Sequence, residues 1–351
     1  MKTEYIMKKT VSRLLPLYSR DLVLLIILLI SGCKEDPDIW EVDTVQQVIS
    51  EYVAENPDFS EFNTILLTTG LNSLLSVRGP FTLFLPTNTA MEAYYEDHGI
   101  ASSAEMSVDD QKDLALNHLV SLRLETNDFG LGAITELNAL GDYLVTEFVE
   151  SDIILNKQSL IIKRNISAAN GVIHHIDKVI EPVTLSVFEL LEASPSYSMF
   201  TEGLIRTGLK DTLNTIQFPY GQKMARTRFT LLAVADTTFQ RYGIQDIDQL
   251  VAYFTDAPDS ITFLENGFYR YMEYHCLGGT YYLNQFDTRV FPILSYDNNV
   301  DVRIAEDYKL NLQVQTGKYT GFYIEESNYP AKNGTVHTIN DLLPVFQPAP
   351  T

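Results

Sequence analysis

This chain repeats itself, and that limits its possible folds more than any other feature. Pro57, Phe62, Thr69-Gly70-Leu71 and Leu75 recur as Pro195, Phe200, Thr207-Gly208-Leu209 and Leu213, every pair 138 positions apart. Phe81-Thr82-Leu83 recurs as Phe229-Thr230-Leu231 at an offset of 148, His118 as His275 at 157, and Asn170-Gly171 with His174 as Asn333-Gly334 with His337 at 163. The offset only grows, as expected of a duplication whose second copy gained insertions while keeping its element order. Two modules also suit a chain of 351 residues that is 45% hydrophobic, taking about 150 residues per domain. The expected division is 42–183 for the first domain and 184–347 for a diverged second.

Each copy opens with a helical pattern. Val45, Val48, Ile49, Tyr52 and Val53 share one face, with Asp43 or Thr44 as N-cap, and Val187, Leu190 and Leu191 do the same behind Ser186. A second helix runs from Phe62 to a stop at Gly70, mirrored from Phe200 to Gly208, because glycine takes the left-handed conformation that ends helices. Phe81 to Leu85 reads as a strand that runs into a helix over Ala90 to Tyr95, capped by Thr87 or Asn88. Ser159 to Lys163 and Val172 to Ile176 read as strands around an Asn170-Gly171 turn. Helices and strands mix without regular alternation, so the fold class is α+β with a β core and helices packed around it.

The N-terminus reads as an address. Lys8, Lys9, Arg13 and Arg20 precede the apolar run Leu22 to Ile30, and Ser31-Gly32-Cys33 follows. That order is similar to a bacterial lipoprotein signal, and the run is shorter than the roughly 20 residues a spanning helix needs. The expectation is a signal peptide over 1–32, with Met1 or Met7 as the start, lipidation of Cys33 after cleavage, and a tether over 33–41. Several acyl chains make such an anchor stable. Lys34, Glu35 and Asp36 resemble the signal that sends lipoproteins of Bacteroidetes to the outer face of the outer membrane. Residues 1–32 carry a net charge of +3 against −21 for the whole, leaving −24 on the mature part. Such a field repels phosphate backbones, which excludes nucleic acid as the expected partner. Only Cys33 and Cys276 are present, so no disulfide framework is built.

Three segments carry a resemblance to a known family. Gly79-Pro80-Phe81-Thr82-Leu83-Phe84-Leu85-Pro86-Thr87-Asn88 resembles the first signature of the fasciclin-like domain family, and Asn170-Gly171-Val172-Ile173-His174-His175-Ile176-Asp177 its second. Asn117-His118 stands between them, where the family has its central histidine segment. In the second copy Leu231 to Phe239 lacks the Pro-Thr pair, and Asn340 replaces the usual Asp of an otherwise good second signature around Asn333, Gly334 and His337. The resemblance implies two tandem domains, each a β-sandwich or wedge wrapped by helices, and a role in adhesion and extracellular interaction. On the strand, His174 and Ile176 share a face, so His174 and likewise His337 are expected to bond within the core, and His175 to be solvated. The family's animal members have Tyr-His segments proposed for integrin contact; Tyr274-His275 is the matching pair here.

Catalytic signatures are missing. The sequence holds no nucleophile elbow, no His-Glu-x-x-His pair and no Gly-rich phosphate loop. Asp297, Asn299 and Asp301 mimic the start of a calcium loop, but Val302 and Tyr308 stand where the turn glycine and bidentate carboxylate belong. No enzyme activity, cofactor or metal is expected. Tyrosines suit sugars and protein interfaces alike, which makes Phe218, Tyr220, Tyr281 and Tyr282 the candidate contacts, the first two in a loop inserted before Phe229. The expected function is a non-enzymatic surface lipoprotein binding protein or matrix in adhesion. The alternatives are a glycan-binding accessory of a TonB-dependent nutrient transporter and a structural periplasmic lipoprotein.

Overall fold

The computed structural model describes residues 46–77, 79–304 and 307–344, and the first copy opens on α1 (Ile49–Glu55), α2 (Ser60–Thr69) and α3 (Leu71–Leu75). The first helix begins later than its apolar pattern suggests. Val48 is its N-cap, and Glu51 turns back to accept from the Val48 amide at 3.1 Å, so the start is set by the side chain three residues on. Val45, Asp43 and Thr44 lie outside the described residues. The second helix ends at Gly70 with φ +72°, and its counterpart in the second copy ends at Gly208 with φ +80°.

Next come β1 (Phe81–Pro86), α4 (Asn88–Asp97), α5 (Val108–Asn117), β2 (Leu119–Val120), β3 (Gly132–Ala133), β4 (Val145–Val149), β5 (Asp152–Leu155), β6 (Ser159–Ala168) and β7 (Gly171–Ile176). They form one seven-stranded curled sheet in the order β2-β1-β7-β6-β5-β4-β3. The parallel pair β1 and β7 sits second and third from the β2 edge and is buried along its whole length on both faces. Phe81, Leu83, Leu85 and Ile173 pack under the helices, while Phe84 and Ile176 join Leu124, Phe129, Leu144 and Ile153 on the opposite face.

In the second copy the order recurs with α6 (Val187–Glu192), α7 (Ser198–Thr207), α8 (Leu209–Asn214), β8 (Gln217–Tyr220), β9 (Lys223–Arg226) and β10 (Phe229–Val234). It continues with α9 (Asp236–Arg241), α10 (Ile247–Phe254), α11 (Gly267–Tyr274), β11 (Cys276–Gly278), β12 (Arg289–Pro292), β13 (Asn299–Ile304), β14 (Tyr308–Gln313), β15 (Lys318–Thr320), β16 (Tyr329–Ala331) and β17 (Gly334–Ile339). Here the sheet is split: β11-β10-β17-β16 forms one layer and β12-β13-β14-β15 another, with one apolar cluster running between them. The parallel pair survives as β10 with β17. The inserted segment is an isolated hairpin, β8 with β9, rather than a loop.

Asn170-Gly171 does more than turn the chain. The two-residue turn between β6 and β7 is Ala169-Asn170, and Gly171 already pairs with Phe81 and Ala168. Asn170 Oδ1 accepts from the Ile49 amide at 2.9 Å, and Nδ2 donates to the carbonyls of Leu75 and Val77 at 2.7 and 2.8 Å. One amide thus ties the start of α1 and the end of α3 to the parallel strands. Asn333 repeats this, accepting from Val187 at 2.8 Å and donating to Leu213 and Thr215 at 2.8 and 3.0 Å. A Cβ on Gly171 would lie 2.0 Å from the Phe81 carbonyl oxygen, and one on Gly334 equally close to that of Phe229. We therefore expect Gly171→Ala to force the parallel pair apart and cost about 3 kcal/mol or more in urea denaturation; a loss under about 1 kcal/mol would show that the strands can shift to accommodate it.

The two copies are joined by polar contacts that the sequence does not announce. Asp142 is buried and accepts from Arg226 at 2.5 Å and from Lys332 at 2.7 Å, both from the second copy. Asn284 acts like a piece of strand, its Oδ1 accepting from the Ala133 amide at 3.1 Å and its Nδ2 donating to the Ala133 carbonyl at 2.8 Å. Tyr282 fills the space between them against Ala133 and Val145, with Tyr143 edge-on at 5.2 Å.

Candidate functional site

The signature residues turn out to be ties within the fold. Thr87 caps α4 through the Ala90 amide at 3.2 Å, and Asn88 reaches back to accept from Glu61 at 3.0 Å and donate to Pro57 at 2.9 Å. In the second copy Ala235 leaves the cap empty, but Asp236 keeps the tie by accepting from the Met199 amide at 2.9 Å. Asp177 accepts from Leu160 at 2.7 Å, and Asn340 does the same for Gly321 at 2.8 Å. Only one acceptor oxygen is needed, so the departure from Asp leaves this bond intact.

The histidines of the signature segments are buried and neutral. His174 donates from Nε2 to Leu124 at 2.9 Å and His337 to Tyr281 at 2.9 Å, while each Nδ1 faces the amide of a left-handed asparagine, Asn165 or Asn328. His118 donates from Nδ1 to Leu114 at 2.8 Å and accepts at Nε2 from the Ile180 amide at 2.9 Å. His275 makes the first of those bonds, to Tyr271 at 2.7 Å, but its Nε2 has no partner. Burial pushes the pKa values of His118, His275 and His337 down to about 4 and lowers that of His174. His175 is not solvated: it lies against Phe59 at 4.4 Å between ring centres and bonds the Tyr52 hydroxyl at 3.0 Å. The reason is that β7 has apolar layers on both faces, so the face opposite His174 is also interior. Tyr274-His275 is buried too and is not presented to a partner.

The four proposed contacts separate cleanly. Phe218 and Tyr220 project from one face of the β8–β9 hairpin, 41% and 72% exposed, and Met224 adds an apolar surface that is 58% exposed. Tyr282 is 1% exposed at the junction of the two copies, and Tyr281 packs against Phe291 at 4.8 Å. Tyr282 offers no face to a ligand, and the partly buried Tyr281 is boxed in by Phe286, Phe291 and the Arg289 guanidinium. Cys276 is buried, donates to the Met272 carbonyl at 3.5 Å and has its thiol pKa raised by burial. Among the described residues no cluster of acidic, histidine or cysteine side chains could hold a metal ion; Asp301 faces Arg303 at 3.0 Å. No helix among them is long and apolar enough to cross a membrane. Cys33, Lys34, Glu35 and Asp36 lie outside the described residues.

A cleft of about 580 Å³ in the second copy has no expectation in the sequence. Tyr242, Tyr253 and Phe254 form one wall, Gln313 and Tyr319 another, and Asp341 stands at the rim with Tyr242 donating to it. The available signal was local: Tyr271 stands where the first copy has Leu114.

The duplicated asparagine-glycine ties, the paired core histidines and the parallel strand pair define one module used twice. The family model for the fasciclin domain matches residues 57–182 and 195–345, and the chain belongs to that family. It is 27% identical over 217 residues to Transforming growth factor-beta-induced protein ig-h3 of Oryctolagus cuniculus, covering 59% of this chain and 28% of that protein. It is 29% identical over 159 residues to human Stabilin-1, covering 44% of this chain and 6% of that one. Protein sll1483 of Synechocystis is 31% identical over 136 residues, 38% of this chain and 73% of that protein. The chain thus spans under a third of the first two relatives. A solved FAS1 domain pair from the insect cell adhesion molecule Fasciclin I is similar at 17% identity and a TM-score of 0.35, covering 83% of this chain and 98% of that one.

Proposed function

We propose that this protein is a non-enzymatic surface lipoprotein, anchored to the outer membrane by acyl chains on Cys33, whose fasciclin pair docks an extracellular protein or matrix component in adhesion. The β8–β9 hairpin carries this reading. It stands clear of both sheets and holds Phe218, Tyr220 and Met224 in solvent. Arg226, at its base, is held by Asp142 of the first domain, so the projection is rigidly rooted. Phe218 and Tyr220, side by side on one face of a fixed hairpin with Met224 on the other, are exposed apolar groups that a protein partner would bury. The tyrosine-lined cleft favours a second reading, in which the chain holds a glycan beside a TonB-dependent transporter.

Cells displaying the full chain should adhere to a matrix-coated surface or to each other through the hairpin. Phe218→Ser, Tyr220→Ser and Met224→Ser together are expected to lower the adhering fraction about tenfold while leaving the melting temperature unchanged, since none of the three supports the core. Adhesion at the wild-type level in the triple variant would remove the hairpin from the contact.

A further inference from the structure

Tyr271 in α11 takes the place that Leu114 holds in α5. Both give their carbonyl to the Nδ1 of the histidine four residues on, His275 and His118. The exchange sets a hydroxyl where the first domain has hydrocarbon. Tyr271 is 1% exposed, and its hydroxyl has no hydrogen-bond partner. A buried unpaired hydroxyl is unfavourable, and native folds keep few of them.

Its position suggests what it is for. The Tyr271 ring stacks on Phe254 at 3.6 Å, and Tyr253, Tyr242 and Asp341 act on its hydroxyl electrostatically. All four of these residues line the cleft. The neighbouring His275 Nε2 is a second buried atom without a partner, whereas the same atom of His118 accepts from Ile180. The unsatisfied Tyr271 hydroxyl therefore lies directly behind residues that line an open, phenol-lined cleft, and neither it nor the unpaired His275 nitrogen has a counterpart in the other domain.

We infer that this cleft binds a neutral oligosaccharide. Tyr253, and Tyr319 on the side away from Lys309, present flat apolar faces on which the C–H faces of a sugar ring stack, while Asp341 and Gln313 bond its hydroxyls; Tyr271, packed behind the lining residue Phe254, is the group that the most deeply inserted hydroxyl meets. The volume of about 580 Å³ falls within the range of small-ligand clefts. The cleft lining carries one acid, Asp341, against one base, Lys318, and the chain as a whole carries −21, which disfavours acidic polysaccharides and leaves uncharged ones as the matching class. Asp341 Oδ1 already accepts from Tyr242 and from the Leu342 amide at 2.9 Å, so the carboxylate is held in place for this task. The cleft shares no lining residue with β8–β9, so its glycan binding and hairpin-mediated adhesion fail separately.

The test is calorimetric titration of the full chain with a panel of short xylo-, manno-, malto-, cello- and chito-oligosaccharides. We expect binding to at least one series, and Tyr253→Ala and Tyr319→Ala each to weaken it at least about tenfold. Tyr271→Phe separates a ligand contact from a structural role: it should raise the melting temperature of the free protein while weakening the sugar. No binding across the panel, or binding at full strength in both alanine variants, would overturn the proposal. A lower melting temperature for Tyr271→Phe would mean that the hydroxyl is satisfied within the fold, and would overturn its role.

Discussion

Replacing Asp142 with alanine is expected to make the two domains unfold separately. The carboxylate is buried and is the common acceptor for Arg226 and Lys332, so its loss leaves two cations facing each other across a junction built to neutralise them. Removing one partner of a fully buried ion pair costs about 3–5 kcal/mol. Here the Arg226 and Lys332 side chains keep 20% and 21% exposure and regain some hydration, so we expect about 2–4 kcal/mol. Calorimetry should then resolve two transitions where the wild type gives one. A combined change of Asp142→Leu, Arg226→Met and Lys332→Met should restore coupling, because apolar groups of similar volume often replace a buried charge cluster without loss. If Asp142→Ala still unfolds in one step, the packing of Tyr282 against Ala133 and Val145 holds the domains together instead.

The second large effect is acid destabilisation between pH 6.5 and 4. His118, His275 and His337 are buried with pKa values of about 4, against an ordinary 6.5 in the unfolded chain. Between those values the unfolded state binds protons that the folded state refuses, so stability is full above pH 6.5 and falls as the pH drops toward 4. Below pH 4 both states are protonated at these sites and no further loss arises from them. At pH 5 each histidine contributes a loss on the order of 2 kcal/mol, and the three together approach the whole stability of a small domain. Urea denaturation at pH 7 and pH 5 should show this. His275→Leu should flatten the slope near pH 5.2 by about 1.2 kcal/mol per pH unit, and an unchanged slope would mean that His275 titrates normally in the fold.

Much of the scaffold could be read from the residues themselves. Gly70 and Gly208 end their helices as expected, Ser186 caps α6, and Phe81 to Leu85 is a strand. These features rest on local chemistry, a left-handed glycine, a hydroxyl facing an amide or an alternation of side chains, and the glycine stops and the strand are stated in both copies. The errors fall where the local signal had two meanings. Asn170-Gly171 has the composition of a turn, yet the turn sits one residue earlier and the asparagine spans to Ile49, Leu75 and Val77. His175 alternates with His174, and alternation implies solvent only when a strand has a wet face; β7 has none. Tyr281 and Tyr282 carry the residue type of a binding surface, but packing against Phe291 and against Ala133 and Val145 of the first domain takes them up instead.

By itself the sequence determined that there are two copies, where their shared ties fall, and that both belong to one α+β module. Periodicity and repetition are properties of the chain alone, and no fold is needed to see them. Only the tertiary structure decided which aromatics face water, that Asp142 meets Arg226 and Lys332, and that Tyr271 lies without a partner beneath an open cleft. Those outcomes depend on residues far apart in the chain arriving at one place.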